Sequence, residues 1–150
     1  MGHAETPTAP AHPGMPAAKQ GERQPLYLLD MMAEHQKQNM REHLEAVNEI
    51  VAALAKRDYQ AIETAAKKLG MSPEMEQMCT HMGAATPGFT ERAMAFHSTA
   101  DEIIPPAKRN DSTQVLAALN KTLSTCVSCH ATYRQEIVDE ARWKKLTASH

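Results

Sequence analysis

Leu116-Ala117-Ala118-Leu119-Asn120-Lys121-Thr122-Leu123-Ser124-Thr125-Cys126-Val127-Ser128-Cys129-His130 is the stretch from which the rest of the chain is read. Leu116, Leu119, Leu123, Cys126 and His130 recur at intervals of three and four, and the series continues to Tyr133 and Ile137. That is the period of one helix face. Asp111 and Ser112 are both suitable N-caps for this helix. Within it stands Cys-x-x-Cys-His, the attachment signature of a c-type haem. The two thiols add across the porphyrin vinyl groups and the histidine supplies an axial nitrogen to the iron. Cys126, Cys129 and His130 at i, i+3 and i+4 lie close enough on a helix surface to address one flat ligand. A thioredoxin-type dithiol should follow a strand, and no strand pattern precedes this one. A zinc site needs a second ligand pair of matching spacing, for which Cys79-Thr80-His81 is a poor candidate. The stripe therefore places the axial histidine on the core face of a long helix.

Composition agrees with a helical domain. The 150 residues suit one domain with a real core. Ala, Leu, Met, Glu, Lys and Gln dominate, and these are helix formers. Aromatic residues are sparse: Trp143, three Tyr and two Phe. A formal net charge of −2 gives no field that would draw nucleic acid or an anionic membrane. No apolar run approaches the roughly 18 residues that a membrane span needs. Three cysteines leave one over after haem attachment, which argues against a disulfide framework. Residues 1–25 are different material, with Pro7, Pro10, Pro13, Pro16 and Pro25 among Ala, Thr and Gly. Such a segment buries too little apolar surface to order itself, so it reads as a disordered tail, and His3 and His12 read as solvated linker. It lacks the apolar run of a secretory signal. Haem c is attached outside the cytoplasm in bacteria, so a signal ahead of the mature sequence and a periplasmic location are expected.

The helical domain is expected over 26–150. The first helix is predicted over 26–56, with a core-facing stripe of Leu29, Ala33, Met40, Leu44, Val47, Val51 and Leu54. Asp58 is a plausible cap for a second helix to Leu69, which Gly70 ends as a C′ residue. Ser72-Pro73 restarts a helix carrying Met71, Met75, Met78 and Met82 at helical spacing, with Cys79 and His81 among them. Soft sulfur ligands select Cu(I). Methionines at that period are more simply a core stripe. A helix over 90–109 follows, carrying Phe89, Ala93, Phe96, Ala100, Ile103 and Ile104, with Pro105-Pro106 ending or kinking it. His97, on its flank, reads as a satisfied buried histidine ahead of a haem propionate partner or a rival ligand. Helical segments of this length with short connections predict an all-α, antiparallel four-helix bundle with the haem near its C-terminal helix.

At Cys126-Val-Ser-Cys-His130-Ala-Thr-Tyr133-Arg134 the chain resembles the class II c-type cytochromes, the cytochrome c prime family. That family has Cys-x-x-Cys-His-x-x-Tyr-Arg on the last of four helices. The resemblance covers about 26–143. It implies that a residue of the first helix lies over the distal haem face, and Met40, sixteen residues before Lys56, takes that place. Met there implies six-coordinate, low-spin iron; Leu or Phe there implies five-coordinate iron that binds small gases. His43 and His35 are the nearby rivals. The resemblance also sets Arg134 near the proximal imidazole or a propionate. The Met-rich stretch 71–87 departs from the family pattern.

The function expected is single-electron transfer through a covalent haem c with His130 and Met40 as iron ligands, serving periplasmic redox partner proteins. The alternative is a five-coordinate iron binding NO or CO. A metal-handling module built on Cys79, His81 and the nearby methionines is a third reading. No nucleophile–base pair or carboxylate pair points to catalysis, so no enzyme is expected. The family often forms homodimers through its early helices, and Tyr27 and Leu28 are the apolar residues available for such a contact.

Overall fold

The computed structural model describes residues 22–149. Most of the expected tail, with His3 and His12, lies outside the described residues. The chain is mostly helical with one small sheet. In order it forms β1 (Gln24–Leu28), α1 (Asp30–Lys56), α2 (Tyr59–Leu69), α3 (Pro73–Met82), α4 (Phe89–Asp101), α5 (Ile104–Lys108), α6 (Ser112–Thr132), β2 (Tyr133–Ile137) and α7 (Glu140–Ala148).

Local chemistry sets most of the helix starts. The side chains of Asp58, Ser72 and Asp111 accept hydrogen bonds from the backbone N–H groups of Ala61 (3.0 Å), Met75 (3.1 Å) and Gln114 (3.0 Å). Each satisfies one of the donors that a helix start leaves open. Asp139 caps α7 in the same way through Arg142 N–H at 2.8 Å. The C-terminal residues therefore form a helix, and Trp143 packs from it onto the core. Pro105 and Pro106 sit in the first turn of α5, where a missing N–H is harmless, so the 90–109 helix divides into α4 and α5. Gly70 ends α2 with φ −69°, so it is not the left-handed cap expected. A Cβ there would lie 2.1 Å from Asp101 Oδ1, and Asp101 accepts the N–H of Met71 at 3.2 Å. Close approach, rather than handedness, requires glycine.

The first and last expected helices are both corrected at the sheet. Residues 24–28 are a strand, not the start of a helix, and α6 stops at Thr132 instead of running on through Tyr133 and Ile137. β1 and β2 pair in parallel, from Gln24 opposite Tyr133 to Leu28 opposite Ile137. A two-stranded ribbon is marginal alone. This one is held because Leu26 and Leu28 are buried beneath it, and Tyr133 is buried edge-on to Phe89, 5.4 Å between ring centroids. Leu28 is thus core, and Tyr27 lies under Arg142 with 5.1 Å from guanidinium to ring centroid. Neither is the bare apolar residue proposed for dimer contact.

The core is in two parts. The first joins Ala46, Ile50 and Ala53 of α1, Ile62, Ala65, Ala66 and Leu69 of α2, Phe96 and Ala100 of α4, and Val115 and Leu119 of α6. The second joins β1, Met32 and Ala33 of α1, Met82 of α3, Phe89 of α4 and Tyr133 of β2. Small domains usually bury one contiguous core.

The expected stripes on α1 and α6 are only partly on the core side: Ala33, Leu119 and Tyr133 are buried, and Leu29, Val47, Leu54 and Cys126 pack against the core. Met40, Leu44 and Val51 are 41–70% exposed, and Leu116, Leu123 and Val127 are 38–56% exposed. The buried faces are Ala46, Ile50 and Ala53 on α1 and Val115, Leu119 and Thr122 on α6. Small alanines let α2 approach α1 closely. Thr122 is fully buried at no polar penalty because its hydroxyl donates to Ala118 O at 3.1 Å. Both helices carry a second apolar face that no polypeptide covers among the described residues.

Candidate haem-attachment site

Cys126 and Cys129 sit at the seam between the two core parts. Cys126 packs against the first and Cys129 against the second. Both are free thiols, half-buried and one helical turn apart. Burial pushes both thiols above their ordinary pKa. Neither therefore has the lowered pKa that marks a redox-active cysteine. His130 stands exposed beside them. Its helix position was expected on the core face. It instead lies with Leu123 and Val127 on the outer face of α6.

The seam has a definite shape. On α4 it lies between Ala93 and Phe96, and on α6 between Cys129 and Cys126, each three residues or about 5 Å of helix. On α1 it runs from Ala33 to Ala46, thirteen residues or about 20 Å. The two core parts are thus further apart along α1, where Gln36, Asn39, Met40 and His43 fall between them. One end of the open face of α1 is closed: Ala33 is fully buried and its carbonyl accepts from Gln135 Nε2 at 3.3 Å. The same Gln135 nitrogen donates to Gln36 Oε1 at 2.7 Å. Beyond Gln36 the face is uncovered, starting with Met40.

His43 is the expected rival that the structure brings furthest into the seam. Its ring lies 4.8 Å from that of Phe96 and 5.5 Å from that of His97. Burial, with His97 adding to it, pulls its pKa down to about 4. His97 is buried, and its Nδ1 donates to Leu69 O at 2.7 Å, so it is the satisfied core histidine expected. Burial lowers its pKa also. His35 is exposed. Arg134 lies on β2, not one helical turn after His130, and pairs with Glu136 at 2.9 Å. Glu136 also meets Arg142 at 3.4 Å.

The methionine cluster divides. Met82 is buried in the second core part with Met78 packed beside it, and Met78 Sδ accepts from Asn39 Nδ2 at 2.8 Å. Cys79 is buried while His81 is exposed, 6.4 Å from the Trp143 ring. These side chains serve packing. Among the described residues no group of three or more His, Cys, Asp or Glu side chains converges as a metal site. A haem iron draws only one or two axial ligands from the chain, so its attachment asks for no such group.

Sequence reasoning missed Arg92 and Arg23. Arg92, on α4, donates to Ser128 Oγ at 3.1 Å and Thr132 Oγ1 at 3.4 Å. Arg23 donates to the carbonyls of His130 and Tyr133, both at 3.4 Å, and so caps the end of α6. Nothing local in the sequence marks either, because each reaches across more than thirty residues. Among the described residues no helix is long and apolar enough to cross a membrane. Comparison with family models, with curated proteins and with solved structures returned no match.

Proposed function

We propose that this chain is a periplasmic electron carrier with one haem c bound through Cys126 and Cys129. The observation that carries the reading is the split core. Two free thiols lie at the seam, at the attachment spacing, and the seam opens onto apolar faces of α1 and α6 that lack a polypeptide partner. Leaving Met40, Leu44, Val51, Leu123 and Val127 in water is unfavourable by about 25 cal/mol for each Å² of apolar surface. A flat apolar group anchored at the seam removes that cost. The donor set fits such a group: two thiols for the covalent links, and His130 nitrogen and Met40 sulfur for the iron.

In this reading the helices form an antiparallel four-helix bundle of the cytochrome c prime type. Bound haem supplies a reversible one-electron couple, and thioether ligation favours the ferrous state. The chain's own residues do the rest. His130 and Met40 would hold the iron, and the apolar faces of α1 and α6 would exclude water from it. Partners are periplasmic one-electron donors and acceptors.

A second reading draws on the exposure of Met40. If Met40 stayed in solvent, a haem held by His130 would keep a position free for NO or CO. Optical spectra of the ferric, ferrous and CO-treated holoprotein separate the two. Electron transfer expects a sharp, split ferrous spectrum that CO leaves unchanged, and Met40→Ala should turn it high-spin and CO-binding. A low-spin Met40→Ala protein moves the ligand to His43 or His35. A broad ferrous band that shifts with CO rejects the His130/Met40 carrier.

A further inference from the structure

Arg92 is placed unusually for a surface cation. Its guanidinium is tied to the segment that carries the attachment motif at three points: the hydroxyls of Ser128 and Thr132, and the ring of Tyr133 with 5.9 Å to the centroid. Ser128 lies between the two cysteines, and Thr132 lies two residues past His130. Among the described residues no carboxylate pairs with Arg92, whereas Lys68, Lys121 and Arg134 are each neutralised by a glutamate. On a helical wheel Ser128 and Thr132 lie opposite Leu123, Val127 and His130. The charge therefore stands behind α6, about 10 Å from the open face, a helix diameter away. It is too far back to serve as an iron ligand, and close enough to act through space.

We infer that Arg92 is a positioning residue that fixes an uncompensated positive charge behind the attachment turn and so raises the reduction potential of the iron held there. The inference rests on the haem reading above. Gain of one electron lowers the charge at the iron, and a nearby fixed cation favours the lower-charge state. The electron comes from a one-electron partner, and no proton need move. The charge itself matters, and a lysine at the same place keeps a cation within a Debye length of the attachment turn.

The test is spectroelectrochemical titration of the parent holoprotein, Arg92→Lys and Arg92→Gln at low ionic strength. At a fixed applied potential, Arg92→Gln should lower the ferrous-to-ferric ratio about threefold, and Arg92→Lys should retain most of the parent ratio. Raising the salt should shrink the difference. An unchanged ratio in Arg92→Gln overturns the inference. So does a Lys variant that falls as far as the Gln variant, since the tethers rather than the charge would then matter. A parent chain without covalent haem removes the haem reading itself, whereas a parent with haem and an unmoved Gln variant removes only the role of Arg92. Should Arg92→Gln fail to retain haem, the parent holoprotein decides: raising the salt should lower its ferrous-to-ferric ratio at a fixed applied potential, and a ratio that salt leaves unchanged overturns the inference.

Discussion

The two faces of α1 carry similar apolar residues and meet different fates. One face, Ala46, Ile50 and Ala53, is closed by α2 and the first core part. The other, Met40, Leu44 and Val51, starts beneath β2 at Ala33 and then runs out uncovered. α6 repeats the contrast, with Val115, Leu119 and Thr122 closed and Leu116, Leu123 and Val127 open. Hydrophobic period reports that a face needs cover, and is silent on what covers it. A closed face is completed by polypeptide; the open faces flanking Cys126 and Cys129 are those for which we propose haem.

The contrast is broken most severely on the closed side. Ile50 is fully buried. Ile50→Ala should lower the unfolding free energy by about 2–5 kcal/mol in haem-free and haem-loaded protein alike, measured by denaturant titration. A loss confined to one form would mean that the two faces are coupled.

Acid should act next, through the histidines at the mouth of the seam. His43 is held near 4 in the fold against an ordinary value of 6.5. The unfolded chain therefore binds more protons than the folded chain between those values, so stability contributed by the neutral ring is complete above about pH 6.5 and is lost as pH falls toward 4. With allowance for its partial exposure the effect is about 1–2 kcal/mol. Denaturant titrations of the haem-free chain at pH 7 and 4.5 should show it, and His43→Leu should reduce the difference. Equal acid sensitivity in parent and His43→Leu would assign it to other groups.

The smallest effect belongs to the open side. Leu44→Ala should change the stability of the haem-free chain by less than about 0.5 kcal/mol, because its side chain is already 70% exposed. In the haem-loaded protein the same substitution should cost more. Equal costs in the two forms would show that nothing comes to cover Leu44.

What the sequence disclosed divides along similar lines. Asp58, Ser72 and Asp111 were legible as caps because each bonds a backbone N–H three residues on. The end of α1 at Lys56 was legible from the charged break after it. The sheet was not, because β1 and β2 pair across 109 residues and each is only five residues long. The buried face of α6 was missed because Thr122 reads as polar until its hydroxyl finds Ala118 O. The buried face of α1 rests partly on alanines, which carry little weight in an apolar pattern. At the site, the attachment motif was plain from its residues. The seam was not, since it depends on where two core parts end on three helices. Nor did spacing reveal that His43 packs its ring against those of Phe96 and His97.

The most direct measurement is the intact mass of protein matured in a bacterial periplasm, taken after denaturation and with its free thiols counted. Covalent attachment predicts the chain plus one haem, with a single free thiol, that of Cys79. A chain of unmodified mass with three free thiols would contradict haem attachment at the seam.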